Sequence, residues 1–284
     1  MLRLLKPSFA IVAIVGLVAA GCGGSSKGTP TAPPVSDPDE IITRSVTASQ
    51  NITSLHIRVN VGGKVNLSSL SGGSAGGGLG GSIDLAGTYA EGDIDASKKD
   101  TQDVKADLKF GMPGLLALSG RIIVVDGYMY TQVSLQGDKY SKSKLDTALP
   151  VSVPSADPSA TLAIASQVDE LRKSLKDAGA TTSLKGDEKV DGKDCYHVAI
   201  DVPASKLNEL LGTAGVASAS MAIESTQVDY YVYKDSLLPA KVFLGANVTG
   251  VGNLTLEAII TKYGESVSVK APDASQIQEA TPAA

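Results

Sequence analysis

Long alternation of apolar and polar residues constrains this chain more than any other feature. In the segment LHIRVNVGGKVNL, residues 55–67, aliphatic side chains alternate with polar ones. Successive side chains of a strand point to opposite faces, so the pattern predicts a long strand with one buried face. Further segments of this kind follow at short spacing: SIDLAGTYA, DVKADLKF, RIIVV, YMYTQVS, TTSLKGDEKV, KDCYHVAIDV, QVDYYVYK, PAKVFLGANVT, NLTLEAIITKYG and ESVSVKAP. We therefore predict ten or eleven strands, nearly all antiparallel.

Two Asp-Gly pairs mark tight turns between these strands. Asp126-Gly127 joins RIIVV to YMYTQVS, and Asp191-Gly192 joins TTSLKGDEKV to KDCYHVAIDV. The Asp-Gly dipeptide readily takes the positive φ angles that two-residue hairpin turns need. Both places are predicted to be β-hairpins.

Three segments have the character of helices. A helix is predicted over 38–51, with a capping side chain before it, Pro38 in its first turn and two acids after that. We expect Ile41, Ile42, Val46 and Ile52 to face the core. Amphipathic patterns predict further helices over 159–179 and 204–212.

Strands before, between and after these helices predict an α+β fold, with one large antiparallel sheet and the helices gathered on a single face. A sheet of that many strands must twist and curl. We expect a strongly curved sheet whose concave face carries the helices. If they close it only loosely, the space between is an apolar cavity lined by aliphatic side chains.

The first forty residues have the layout of an export signal followed by a tether. Arg3 and Lys6 precede an apolar run over 8–20, and Ala-Ala-Gly then precedes Cys22. The run is too short to span a bilayer, since a spanning helix needs about 20 residues. Residues 22–37 are rich in Gly, Ser and Pro, which is typical of a flexible tether. The predicted organisation is a signal peptide over 1–21, this tether, one domain over 38–272 and a C-terminal tail over 273–284.

Residues Val18-Ala19-Ala20-Gly21-Cys22 resemble the lipobox of bacterial lipoproteins, although Ala19 stands where Leu is usual. In that class, cleavage before the cysteine leaves it N-terminal and linked to diacylglycerol. The alternative is an ordinary cysteine just past a signal peptidase site. Under the lipobox interpretation, the membrane is a partner through a diacylglyceryl anchor at Cys22. The domain then sits on the outer face of the bacterial cell membrane, and Cys195 is left without a disulfide partner.

The charge of the chain excludes one class of partner. Removing residues 1–21, which hold two basic residues and no acidic one, changes the formal net charge from −5 to −7. An acidic protein lacks the electrostatic attraction that nucleic-acid binding requires, so we expect no nucleic-acid partner.

Some segments match catalytic motifs in their residue pattern but lack the structural context that those motifs need. Residues 72–76, GGSAG, match G-x-S-x-G, but glycines flank them where a nucleophile elbow needs a strand and a helix. Gly76, Gly78 and Gly81 match a dinucleotide fingerprint within the same glycine-rich run, without a βαβ context. Cys195 and His197 share one face of a strand, yet no third orienting residue is evident. We predict no enzymatic activity, no metal site and no cofactor.

Several blocks together resemble the family of actinobacterial lipoproteins that includes LppX, LprA, LprF and LprG. They occur in the family's order: the lipobox and helix before SLHIRVNVGGKV, then VVDGYMYTQVS, DGKDCYHVAIDVPASKLNELL, VYKDSLLPAKV and YGESVSVKAP. The resemblance implies a half-barrel with helices over its concave face, related in architecture to the LolA and LolB carriers. Members hold acylated lipids or lipoglycans in that cavity and help to move them outward.

The family's cavity-facing strand matches DVKADLKF, so the resemblance implies lipid contact at Val104, Ala106, Leu108 and Phe110. Alternation alone shows that these four share a face, and plain packing is the alternative. The predicted contacts also include apolar positions of the long strand and of the second helix: Val59, Val61, Leu162, Val168 and Leu171. The chain departs from the family in a glycine-rich insertion at 70–81 and in GMPGLLALSG at 111–120.

The leading hypothesis is therefore a membrane-anchored lipoprotein that binds acylated lipid and carries or presents it in the cell envelope. The alternative is a carrier of acylated proteins, or an envelope assembly factor without a small ligand. A membrane transporter or membrane complex is a further candidate partner under either hypothesis.

Overall fold

One sheet organises the molecule. The computed structural model describes residues 35–50, 52–66, 81–95, 105–113, 117–145, 173, 176–177, 179–213 and 222–278. Over these residues it has two helices, α1 (Pro38–Ser49) and α2 (Ala204–Thr213), and fourteen strands in one sheet. The strands are β1 Ser54–Asn66, β2 Ser82–Asp84, β3 Thr88–Asp95, β4 Lys105–Met112, β5 Leu118–Val125, β6 Tyr128–Val133, β7 Tyr140–Lys144, β8 Thr181–Leu184, β9 Glu188–Val190, β10 Lys193–Asp201, β11 Ile223–Tyr233, β12 Pro239–Val248, β13 Gly252–Thr261 and β14 Ile277–Gln278.

The sheet consists of two meanders joined at its centre. Its order is β14-β7-β6-β5-β4-β3-β1-β13-β12-β11-β10-β8, with β2 paired to β1 and β9 paired to β10. All described pairs are antiparallel except that of β14 with β7. At the centre, β1 lies beside β13 with Ile57 opposite Ile260 and Val59 opposite Ala258. Strands close in sequence thus build each half, and one distant pairing joins the halves.

The predicted class was α+β, whereas the described fold is mostly β. The large antiparallel sheet is confirmed, but it has fourteen strands rather than ten or eleven because some predicted segments divide and short strands were missed. SIDLAGTYA is interrupted by a turn between β2 and β3, and β7 and β14 were not predicted. The helix predicted over 159–179 lies almost wholly outside the described residues. The helix predicted over 204–212 is confirmed as α2.

Helix α1 begins and packs for identifiable reasons. The Asp37 side chain caps it by accepting a hydrogen bond from the Asp39 amide at 2.8 Å, and Pro38 occupies its first turn. Its buried side chains are Ile41, Ser45 and Ser49. The expectation that Ile42 and Val46 would face the core was only partly right, because both are half-buried while the small serines lie against the sheet.

Both predicted Asp-Gly hairpin turns are confirmed. Asp126 and Gly127 have φ angles of 52° and 75°, and Asp191 and Gly192 have 50° and 76°. Two successive positive φ angles define the turn type whose twist matches that of the flanking strands. The turns fix the registers of β5 with β6 and of β9 with β10.

The C-terminal segment differs from its prediction. ESVSVKAP, 265–272, forms no strand; instead Val267 and Val269 pack beside Ile123 and Tyr130. The chain then turns at 274–276 and ends its described course as β14, parallel to β7. The described structure therefore runs to residue 278, within the segment 273–284 that the sequence predicts as a C-terminal tail.

Candidate functional site

The two faces of the sheet differ in charge over most of their area; Lys189 and Asp194, paired at the start of β10, are an exception. Residues directly opposite each other in antiparallel strands share a face, so the registers assign every side chain. We define the apolar face by the following residues, none of which is charged. In the first half they are Leu55, Ile57, Val59, Val61, Ala90, Gly92, Ile94, Ala106, Leu108, Phe110, Ile122, Val124, Met129 and Thr131. In the second half they are Leu254, Leu256, Ala258, Ile260, Val242, Leu244, Ala246, Val228, Tyr230, Val232, Tyr196, Val198 and Ile200.

The opposite side, which we call the charged face, is held by ion pairs and polar contacts. Its ionisable residues include His56, Arg58, Glu91, Asp93, Asp107, Lys109, Arg121, Lys142, His197, Asp229, Lys241 and Glu257. The two nitrogens of His56 lie 2.8 Å from Asp93 Oδ1 and 3.2 Å from Glu91 Oε1. Arg58 donates to Glu91 at 2.7 Å, and this hydrogen bond lowers the pKa of the Glu91 carboxyl. Opposite charges therefore neutralise one another locally on this face.

Helix α1 covers one end of the apolar face. Ile41 packs among Tyr196, Val198 and Val232, and the side chains of Ile41, Val198 and Val232 are fully buried. Beside them, the Ser45 hydroxyl and the Tyr230 hydroxyl are 2.8 Å apart. Burial raises the pKa of Tyr230 to about 12, so this hydroxyl stays neutral at physiological pH. This end is ordinary protein core.

The other end of the apolar face is less enclosed. Aliphatic and aromatic side chains of β4, β5 and β6 remain half-buried there: Leu108, Phe110, Ile122, Val124 and Met129. The Phe110 ring covers Gly120, since a Cβ on that glycine would lie 2.5 Å from the ring. Such a Cβ would also lie 2.2 Å from the backbone carbonyl oxygen of Gln132, so no larger side chain fits here without moving both the ring and the strand. These residues form a continuous uncharged surface with area left to bury.

Those predicted site residues that the structure describes lie together on one face. Ala106, Leu108 and Phe110 lie on the apolar face with Val59 and Val61. Ala106 and Val59 are buried, while the other three are half-buried. Cys22, Val104, Leu162, Val168 and Leu171 fall outside the described residues, and so does the glycine-rich GGSAG motif.

Sequence reasoning missed the part of this face on β5 and β6. RIIVV is apolar at every position after Arg121, so alternation could not assign its faces. The signal was the Asp126-Gly127 turn, because a two-residue hairpin sets Val124 opposite Met129. With that register, Ile122, Val124 and Met129 could have been added to the predicted contacts.

Cys195 and His197 lie together on the charged face, as predicted, but not as a reactive pair. Cys195 is fully buried, and burial raises the pKa of its thiol to about 11. The His197 Nε2 atom instead lies 2.8 Å from Asp229 Oδ1, and its ring stacks on Tyr231 with centroids 4.3 Å apart. Nδ1 is 3.0 Å from Glu188 Oε1 but is not aligned for a hydrogen bond. A thiolate is the reactive form of cysteine, so these contacts favour a structural role.

Two classes of site are absent from the described part of the chain. No group of three or more His, Cys, Asp and Glu side chains there has the arrangement of a metal site. Neither α1 nor α2, nor any other described helix, has both the length and the apolar character needed to cross a bilayer.

The fold and its faces define a mostly β domain with an uncharged face that is closed at one end. The chain belongs to the LppX_LprAFG lipoprotein family, which matches residues 37–271. This confirms the resemblance drawn from the short sequence blocks. Membership of a lipoprotein family favours a place in the cell envelope, and the family is generally non-catalytic.

Several solved structures are similar to this chain. Lipoprotein LppX of Mycobacterium tuberculosis is 17% identical, with a TM-score of 0.44 over 83% of this chain and 100% of its own. LprF from Mycobacterium bovis is 12% identical, with a TM-score of 0.48 over 84% and 99%. The LolA superfamily protein NE2245 from Nitrosomonas europaea is 7% identical, with a TM-score of 0.23 over 87% and 99%. Among curated proteins, no sequence matches this chain.

Proposed function

We propose that the half-buried part of the apolar face, on β1 and β3–β6, binds the acyl chains of a cell-envelope lipid. The protein would carry or present that lipid while a diacylglyceryl anchor at Cys22 holds it to the outer face of the cell membrane. The single observation that carries the proposal is the absence of charge from this face across neighbouring strands, combined with its partial exposure.

Acyl chains suit such a surface because they need area and no polar partner. Each buried methylene contributes about 0.8 kcal/mol, so long chains gain affinity without fixed hydrogen bonds. Leu108, Phe110 and Ile122 offer aliphatic and aromatic contact area that the described protein does not fully bury. Membership of a lipoprotein family supports the same function. No described group on this face would catalyse turnover of the ligand, so we propose binding without chemistry.

The proposal is tested by asking what the purified protein retains. Residues 22–284 with Cys22→Ser would be exported from a lipid-rich bacterium behind a signal peptide without a lipobox. Organic extraction and mass spectrometry should then find lipid in near-stoichiometric amount. Protein that folds but yields no lipid would overturn the proposal. Recovery of an acylated protein in place of free lipid would support the alternative carrier function instead.

A further inference from the structure

Strands β3–β6 end in loops of different character at their two ends. At the end of the Asp126-Gly127 turn, charged residues such as Asp95 and Lys105 bound the strands. At the opposite end lie the segments 85–89, 111–113, 117–119 and 133–136, which we call the rim. The rim segments contain no Asp, Glu, Lys, Arg or His, although exposed Asp84 precedes them on β2 and exposed Asp138 and Lys139 follow Leu135 in the loop between β6 and β7.

The rim is a continuous surface. Met112 pairs with Leu118 across β4 and β5, and the Ser119 amide donates to the Ser134 hydroxyl at 3.1 Å. A Cβ on Gly87 would lie 3.1 Å from Pro113, which places these two segments in contact.

Large apolar side chains of the rim reach solvent. Leu135 is 65% exposed and Tyr89 is 41% exposed. Among the described residues, these are two of the three large hydrophobic side chains that are exposed, the third being Leu184. Large apolar residues clustered on a surface mark an interaction site more often than isolated ones do.

The rim is continuous with the apolar face. Phe110 pairs with Gly120, and Gly120 pairs with Val133 at the edge of the rim. An apolar molecule could therefore pass from the rim onto Phe110 and Leu108 without crossing a charged side chain of the described strands.

The tether joins the fold at the other end of the sheet. The Val35 amide donates to the Tyr196 hydroxyl at 3.1 Å, near the start of β10 and the Asp191-Gly192 turn. The chain from residue 22 to residue 34 could extend about 45 Å, at roughly 3.3–3.6 Å per residue. An eight-residue strand such as β5 is about 27 Å long. A domain anchored at Cys22 can therefore turn its rim to the bilayer that holds it.

We propose that the rim docks on a lipid bilayer by inserting Leu135 and its apolar neighbours among the headgroups, and that acyl chains enter and leave the apolar face there. The second half of this inference rests on the proposed function. A bilayer fits better than a protein partner because the anchor proposed at Cys22 keeps the rim within reach of a bilayer. Tethering supplies an effective concentration on the order of millimolar, so weak insertion suffices.

Flotation with phosphatidylcholine vesicles tests the docking. The probe is residues 22–284 with Cys22→Ser, compared with the same chain carrying Leu135→Glu or Leu184→Glu. Leu184 is the matched control, because it is 37% exposed but lies on β8 at the far edge of the sheet. We expect the parent chain to float with the vesicles, Leu135→Glu to lower its partition coefficient about tenfold, and Leu184→Glu to leave it unchanged.

The expected binding depends little on salt, since the chain is acidic and the charges of Asp138 and Lys139 near Leu135 are opposite in sign. Failure of the parent chain to float, equal behaviour of the two variants, or loss of binding at high salt would each overturn the docking. Circular dichroism checks the fold, and Leu135→Asn replaces Leu135→Glu if the latter unfolds. Lipid extracted from the same preparations separates the two proposals. Lipid without vesicle binding overturns the docking alone, whereas vesicle binding without lipid overturns the proposed function.

Discussion

The apolar and charged faces share every strand and differ only in which alternate residues they receive. On the charged face, Arg58 and His56 meet Glu91, and Arg121 donates to Asp107 Oδ1 at 2.7 Å, so its polar groups satisfy one another. The side chains of the apolar face cannot satisfy one another in this way, because they are removed from water only when something packs on them. Where α1 covers it, Val198 and Val232 are fully buried, but Leu108 and Phe110 keep exposed area. The comparison teaches that the charged face is complete in itself, whereas the apolar face gains from something added to it.

The largest expected contrast is in stability. Ile57 is 4% exposed at the centre of the apolar face, and its neighbour Arg58 points to the charged face with a side chain 51% exposed. Ile57→Ala should lower the free energy of unfolding by about 2–4 kcal/mol, because it leaves a cavity. Arg58→Ala should cost less than about 1 kcal/mol, as exposed ion pairs contribute little. Urea unfolding measures both, and equal losses would contradict the difference between the faces.

The reactivity of the Cys195 thiol tests whether part of the charged face is fully buried. Burial raises the pKa of its thiol to about 11 from 9.0, so at pH 8 the thiolate fraction should fall about a hundredfold. In the Cys22→Ser chain, the folded protein should react with a disulfide reagent at least about a hundredfold more slowly than the urea-unfolded protein. Similar rates in both states would show that Cys195 is accessible.

Neighbouring residues of β4 test the proposed ligand. Leu108 lies on the apolar face and Lys109 on the charged face. Leu108→Glu should reduce co-purified lipid at least about tenfold, because a carboxylate is costly to bury against acyl chains. Lys109→Glu introduces the same group on the other face and should change lipid content little. Quantitative mass spectrometry measures both, and parallel losses would mean that charge alone, not the face, determines retention.

The smallest expected effect concerns Glu91 and is pH-dependent. Its pKa is lowered from 4.5, chiefly by the hydrogen bond from Arg58, so the folded state favours the charged carboxylate. This contribution is present above pH 4.5 and is lost as the pH falls through the lowered pKa. Glu91→Gln should therefore cost at most about 1 kcal/mol near neutral pH, since the pair is partly exposed. Urea midpoints should converge in strong acid, and a gap that widens on acidification would contradict the assignment.

Much of the sheet could be predicted because alternation is a local property. The pattern in LHIRVNVGGKV sets Ile57 and Val59 on one face whatever their neighbours are, and DVKADLKF does the same for Leu108 and Phe110. The Asp-Gly turns are equally local. These features set the site residues of each strand on one face of that strand, whereas the resemblance to the lipoprotein family singled out DVKADLKF as the strand that faces the ligand.

Other features depend on distant contacts and could not be predicted. Ser45 and Ser49 are buried because α1 lies on the sheet along its small side chains, although Val46 is more apolar. VSV, 267–269, alternates like a strand, yet it packs across other strands because β13 ends before it. The two-residue β14 has no pattern of its own and exists because β7 offers an edge. The sequence likewise predicts an apolar face without distinguishing core from ligand contact.

The central pairing of β1 with β13 also governs how the domain can assemble. Each meander consists largely of hairpins between neighbouring strands, but Ile57 meets Ile260 only after almost the whole chain is available. Such high contact order slows folding, because a long loop must close before its contacts are gained. Until then, β1 and β13 each present an unpaired edge of the kind that promotes aggregation. Until the last long strand is available, the two halves of the sheet are therefore exposed to misassembly.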